Sequence, residues 1–400
     1  MMGTTRFRTV AVVLSFVVAV GMLALAGCTS GQASSSSQQS SAVSSNEAAP
    51  TLANQPVSRD ESFGGVYIEI TIDDFNKLGF AYGDSVDVEF SNGYKLTDIP
   101  YYNGYYTNMG DPLIVGYPGY PYIEAAINFG DPLWDIAGLK QGDTATITLR
   151  QAGAYLTVQE ALDTAYTNTR SDYASDEEFA NFRTFATGTS KPGTVYRSAS
   201  PIDNEFNRAA YVESLMKDAG VAFVLDLSDN PGEVDDFIAT AKSQGVDVSY
   251  FEQLRDAGCV AMPDLAANYP SESYQRTLAG ALVELSQHEG PYLIHCIEGK
   301  DRTGFVCMLL QALCGATYDE MLADYMVTYD NYYGITKESD PDKYAAIAST
   351  KFDDMARFLV HADSNADLTS ADYVKAARDY LRGGGMTDEQ IDALIAKLSK

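Results

Sequence analysis

Pro291-Tyr292-Leu293-Ile294-His295-Cys296-Ile297-Glu298-Gly299-Lys300-Asp301-Arg302-Thr303-Gly304 reads as an apolar strand, a tight loop and the start of an apolar helix that continues from Phe305 to Leu313. A loop that curls back over a helix N-terminus aims its backbone N–H groups at its own centre, where an anion with several oxygens fits. Cys296 and Arg302 stand at the two ends of that loop. A guanidinium is a planar fork suited to two oxygens of one phosphate. The same positive surroundings are expected to lower the Cys296 pKa and leave a thiolate nucleophile on the pocket floor.

Outward from this segment, helical stretches such as Thr157 to Tyr166 and Ala209 to Ala219 alternate with β-branched runs such as Val221 to Leu227. The alternation predicts an α/β fold over residues 155–400, a doubly wound, mostly parallel central sheet flanked by helices. Its last helix should begin at Thr387, with Gln390 reaching back to complete the cap and Ile391, Leu394, Ile395 and Leu398 forming the apolar stripe. No internal repeat at solenoid periods is present.

The run His295-Cys296-x5-Arg302-Thr303 resembles the signature of cysteine-dependent protein tyrosine and dual-specificity phosphatases. With Gly299-Lys300-Asp301 inside it, the loop is similar to that of the atypical bacterial and fungal branch. Members of that branch carry an upstream Tyr-Arg-Ser and a downstream Asp-Tyr-x-x-Thr. Both stand here, as Tyr196-Arg197-Ser198 and as Asp324-Tyr325-Met326-Val327-Thr328, and Asn181-Phe182-Arg183 resembles the family's opening. The resemblance covers Asn181 to Leu359 and does not reach the preceding region.

What the resemblance implies is a metal-free, cofactor-free phosphatase in which Cys296 attacks phosphorus and forms a phosphocysteine. Arg302 and the amides of Ile297, Glu298, Gly299, Lys300 and Gly304 would hold the phosphoryl oxygens. His295 would orient the loop, Lys300 would add charge at the mouth, and the Thr303 hydroxyl would help the sulfur leave. A leaving phenolate or alkoxide needs a proton from a nearby carboxylic acid. Asp264, in Met262-Pro263-Asp264, resembles the acid of dual-specificity phosphatases, and Asp301 is the counterpart in the atypical branch; Asp256 is a third candidate. A lid over the pocket is expected from Ala266 to Tyr274 or from Tyr325 to Tyr333. Arg197 either touches substrate or pairs with Asp226, and Cys259 is a candidate disulfide partner for Cys296.

The leading substrate class is a phosphotyrosine protein, and the runner-up is a phosphoinositide or inositol phosphate. A phosphate-binding module without turnover is the non-enzyme alternative. A rhodanese-like sulfur transferase would also place a cysteine at a helix N-terminus, but the Cys-x5-Arg-Thr spacing fits phosphate transfer better.

Residues 62–152 have a different texture. Val66 to Ile72, Ser85 to Phe90 and Thr144 to Leu149 alternate with period two between Gly, Asn and Asp, which predicts a small β-rich domain. Its middle holds Tyr101, Tyr102, Tyr105, Tyr106, Tyr117, Tyr120 and Tyr122. These rings either form a stacking surface for a surface ligand or pack the domain and its interface.

At the N-terminus, Arg6 and Arg8 precede the apolar run Val10 to Leu25, and Leu25-Ala26-Gly27-Cys28 resembles the bacterial lipobox. Residues 1–27 are expected to be a lipoprotein signal peptide. Acylated Cys28 would anchor the chain to the cell membrane outside the cytoplasm, with the Ser-rich residues 28–61 as a flexible tether. With 27 Lys+Arg against 55 Asp+Glu, the 400-residue chain carries a net charge of -28, which argues against nucleic acid as a partner.

Overall fold

The computed structural model describes residues 49–61, 64–363 and 365–399. The signal segment, Cys28 and the tether up to residue 48 lie outside the described residues. The last part of the expected tether is not a tether at all. Thr51–Arg59 is a strand, β1, whose Leu52 and Val57 are buried. It opens a closed barrel with β2 (Val66–Ile68), β3 (Ser85–Phe90), β4 (Lys95–Tyr102), β5 (Pro112–Val115), β6 (Ile123–Ile127) and β7 (Thr144–Gln151).

The barrel order is β1-β2-β6-β5-β4-β3-β7, and β7 pairs back on β1. Closure leaves no exposed strand edge. Only β4 and β5 run parallel. The expected strand from Val66 stops at Ile68, because Thr71 accepts the Asp74 amide and caps the short helix Ile72–Lys77, whose first turn holds Asp73 and Asp74. Acidic residues favour a helix N-terminus over a strand there.

The second sheet contains β8 (Arg183–Thr184), β9 (Val195–Ser198), β10 (Phe223–Asp226), β11 (Val260–Ala261) and β12 (Tyr292–His295), in the order β11-β10-β12-β9-β8. All pairs are parallel except β8 with β9. β12 is central, and its last residue His295 is level with Asp226 on one side and Ser198 on the other. The connections leaving β9, β10, β11 and β12 therefore all emerge at one edge, where open parallel sheets place their sites.

After β12 comes the helix Asp301–Leu313, buried without a break from Thr303 to Leu313. A helix apolar on every side has to be enclosed. The helices Tyr318–Tyr333, Tyr373–Gly383 and Glu272–Gln287 contribute to the same core, where Phe305 stacks on Tyr269 with centroids 4.3 Å apart. Thr387 and Gln390 form the reciprocal cap of the helix Asp388–Leu398, with Ile391, Leu394 and Leu398 buried.

Four further expectations need correction. The helix expected from Thr157 to Tyr166 ends at Leu162. Tyr325 to Tyr333 is no lid, because it is the second half of the helix Tyr318–Tyr333, with Tyr325, Tyr329 and Tyr332 buried. Asp256 ends the helix Ser249–Asp256 just before β11, at the sheet edge away from Cys296, and pairs with Arg255 at 3.5 Å. Cys259 is level with Tyr292, two strands from β12, whereas Cys296 lies four residues farther along. That offset is about 13 Å along the strands and about 10 Å across them, well beyond the roughly 7 Å between Cα atoms that a disulfide allows.

Candidate active site

Register decides which side chains surround the loop. Arg197, Ile294 and Leu225 are level and share one face of the sheet, whereas Ser198, His295 and Asp226 are level and share the other. Arg197 and Asp226 therefore point to opposite faces, and the expected pair between them does not form. Instead Arg197 Nη1 donates to Asp324 Oδ2 at 2.8 Å, and Arg183 Nε reaches the other carboxylate oxygen at 3.3 Å. Against the cost of burial, the two guanidiniums hold the Asp324 carboxyl below its ordinary range.

This buried cluster holds the back of the Cys296–Arg302 loop. Arg197 Nη2 donates to the Gly299 carbonyl at 2.8 Å, Tyr332 Oη to the Glu298 carbonyl at 2.8 Å, and the Ser200 amide to the Ile297 carbonyl at 3.0 Å. Asn181 Nδ2 reaches the Glu298 and Gly299 carbonyls at 3.3 Å each, and Thr328 Oγ1 at 3.2 Å. Three consecutive carbonyls are thus drawn outward. Because each peptide is planar and trans, the N–H groups of Glu298, Gly299 and Lys300 face the other way, into the loop.

Gly299 sits at φ +67°, and a Cβ on it would lie 2.2 Å from the Ser198 carbonyl oxygen, so only glycine fits. The helix that follows has no side-chain cap, which leaves its first amides to an anion. Gly304 does not belong to that set. Its amide donates to the Lys300 carbonyl at 2.8 Å, and a Cβ on it would meet the Tyr325 ring at 2.7 Å, so it serves helix packing rather than substrate binding.

Cys296 ends up 3% exposed on the loop floor. Arg302 closes the far end, with Nη1 donating to the Leu265 carbonyl at 3.1 Å. That contact places the connection after β11, which carries Asp264, beside the guanidinium. Asp264 is exposed at φ +50°. Asp301 is exposed at the first turn of the helix, and its charge acts on Lys300, Lys351 and Tyr329. The Thr303 hydroxyl is fully buried and finds no partner among the described residues.

Burial pushes the His295 imidazole down to about 4, so it is neutral near pH 7. Its Nδ1 faces the Cys296 carbonyl at 3.4 Å, while Nε2 and Asp226 Oδ2 are 3.9 Å apart, too far for a hydrogen bond. Burial likewise raises Asp226 to about 6 and Asp229 to about 7. Lys300 is less available than its sequence position suggested. Its Nζ lies 3.1 Å from Glu298 Oε2, and Glu298 also accepts from Tyr166 Oη.

Several members of this arrangement have no sequence signal. Arg208 is buried with its guanidinium against the rings of Tyr166, Tyr173, Phe179, Phe206 and Tyr332, all within 5.9 Å, and so supports the tyrosines that hold Glu298. Asp324 and Thr328 did carry a signal, the Asp-Tyr-x-x-Thr spacing, which puts both on one helix face.

The chain belongs to the tyrosine phosphatase family, whose model matches residues 158–400. Over 80 residues it is 32% identical to a triple specificity protein phosphatase of Mycobacterium tuberculosis, covering 20% of this chain and 29% of that protein. A tyrosine-protein phosphatase of Nostoc commune is 26% identical over 121 residues, 29% of this chain and 41% of the relative. The chain thus spans well under half the length of either curated relative. A solved structure, the core catalytic domain of a PP-IP phosphatase from S. cerevisiae in complex with citrate, aligns at 20% identity over 42% of this chain and 91% of that one, with a TM-score of 0.25.

Proposed function

We propose that the protein is a protein tyrosine phosphatase acting through a phosphocysteine. The observation that carries this reading is the outward pull on the Ile297, Glu298 and Gly299 carbonyls, which leaves the amides that follow them turned toward the space above Cys296. Cys296 Sγ attacks phosphorus as the P–O bond to the leaving group breaks. Arg302, once turned from the Leu265 carbonyl, pairs with two phosphoryl oxygens. Asp301 gives its proton to the leaving oxygen. Its exposed place within the loop itself, next to Arg302, favours it over Asp264 on the connection after β11.

In the second step Asp301 takes a proton from water, whose oxygen attacks phosphorus, and the sulfur leaves as a thiolate stabilised by the Thr303 hydroxyl. His295 stays neutral throughout and serves to position the loop.

Lys300 is paired with Glu298, so it adds no surplus basic charge of the kind that a polyphosphorylated inositol would need. That supports phosphotyrosine over the phosphoinositide alternative. We also place the enzyme outside the cytoplasm, tethered through a lipid on Cys28, on the strength of the Leu25-Ala26-Gly27-Cys28 sequence. No helix among the described residues is long and apolar enough to cross a membrane.

Phosphate release from a phosphotyrosine peptide, a phosphoserine peptide and a phosphoinositide, with Cys296→Ser alongside, tests the reading. Turnover that depends on Cys296 and is fastest on phosphotyrosine is expected. Faster release from the phosphoinositide would replace the substrate class, and Cys296-independent release would overturn the mechanism.

A further inference from the structure

The barrel does not hang free of the phosphatase domain. Lys351 Nζ donates to the Tyr105 carbonyl at 2.7 Å and lies 5.6 Å from the Tyr106 ring centroid, while the Met109 amide donates to Asp354 Oδ2 at 2.7 Å. Phe129 packs on Tyr269, the ring that stacks on Phe305 behind the Cys296 loop. Lys351 also feels the charges of Asp301 and Lys300. The barrel is therefore pinned beside the mouth of the pocket, not at a remote face.

On that side the turn after β5 carries Tyr117, which is 45% exposed. The turn has a rigid base. The Gly116 amide donates to the Tyr102 carbonyl at 2.8 Å, and its carbonyl accepts from Tyr82 Oη at 2.9 Å. The Tyr117 ring leans on Tyr120 at 5.3 Å and on Tyr105 at 6.4 Å. Burial raises its hydroxyl above the ordinary range, and the charges of Lys300, Glu298 and Asp301 on the phosphatase loop, and of Glu205, also act on it. The ring is thus held by two other tyrosines, and it is half open to solvent on the side of the barrel that Lys351 ties to the phosphatase domain.

We propose that Tyr117 forms the outer wall of the substrate cleft and packs against the part of a phosphotyrosine peptide that lies beyond the phosphate. The phosphatase domain alone supplies the anion site. An anion site of this kind grips phosphate whatever it is attached to, so selectivity for the attached group has to come from surfaces at the mouth. A tyrosine ring held by its neighbours offers a flat apolar face at little entropic cost, suited to an aromatic or peptide surface. The proposal deepens the phosphatase reading above and rests on it.

The test compares Cys296→Ser with Cys296→Ser/Tyr117→Ala and Cys296→Ser/Tyr117→Phe in titrations with a phosphotyrosine peptide and with inorganic phosphate. Loss of one packed ring should weaken the peptide roughly five- to tenfold. Affinity for inorganic phosphate should stay unchanged, and the Phe variant should match Cys296→Ser. Equal peptide affinity in all three proteins overturns the proposal, as does a parallel loss of phosphate binding, which would mean a general disturbance of the loop. Turnover of the peptide by the unaltered protein is measured separately. Its absence would remove the phosphatase reading, while the titrations would still decide whether Tyr117 is a wall.

Discussion

Arg197 and Asp324 form an ion pair at 2.8 Å with the arginine side chain 1% and the aspartate 9% exposed, and the same guanidinium holds the Gly299 carbonyl. One interaction thus links a strand, a helix and the anion loop. Asp324→Ala would leave Arg197 and Arg183 buried and uncompensated, at an expected cost of about 3–5 kcal/mol. Urea unfolding measures this. The double variant Arg197→Met/Asp324→Leu should recover part of the stability, Arg183 still lacking its carboxylate, yet not the activity, because the Gly299 carbonyl would lose its 2.8 Å donor and keep the longer bond from Asn181. Restored turnover in the double variant would show that the loop holds its shape without Arg197.

The choice between Asp301 and Asp264 is open to a leaving-group experiment. An alkyl or unactivated aryl phosphate needs protonation, whereas a nitrophenolate leaves unaided, so the acid matters only for the former. Asp301→Asn should lower kcat/KM on a poor leaving group by about 10²–10⁴-fold and barely change kcat/KM on a good one, with the alkaline limb of the pH-rate profile lost. Asp264→Asn should leave both untouched. The reverse pattern would transfer the role to Asp264.

Thr303 offers a separable effect on the second step. Its hydroxyl is buried without a partner among the described residues, a condition that costs about 1–3 kcal/mol. Thr303→Val keeps the shape and removes the hydroxyl, so thermal stability should hold or rise. Breakdown of the phosphocysteine should slow, and a burst of leaving group followed by a slow steady state would report it in rapid-mixing kinetics. An unchanged steady state with no burst would show that the hydroxyl does not assist the sulfur.

The elements legible in the sequence are those specified locally. The strand from Tyr292 to His295, the loop and the apolar helix follow from a short stretch, and the Thr387–Gln390 cap from four residues. Partner choice across long separations was not legible. Arg197 and Asp324 are 127 residues apart, and only the sheet register shows that Arg197 faces away from Asp226. The five aromatic rings around Arg208 come from five separate positions with no shared pattern. Thr51–Arg59 follows a Ser-rich stretch and has polar residues at most positions, so its pairing with β7 gives it the strand conformation that its composition conceals.

The barrel carries a pH-dependent weakness of its own. Glu124 is 1% exposed, accepts from Tyr105 Oη at 2.9 Å through one oxygen, and has no hydrogen-bond partner for the other among the described residues. Burial, opposed by that hydrogen bond and reinforced by the charge of Asp60, raises its carboxyl from 4.5 to about 7. Between those values the folded barrel keeps a proton that the unfolded chain releases, so stability falls as pH rises and the full penalty applies above pH 7. The size of the shift corresponds to roughly 3 kcal/mol. Glu124→Gln removes the charge while keeping an acceptor for Tyr105. Its melting temperature should match that of the unaltered protein near pH 4 and exceed it by several degrees at pH 8. An advantage that is the same at both pH values would mean that Glu124 is ionised throughout, and a loss at both would mean that its unpaired oxygen has a role that an amide cannot fill.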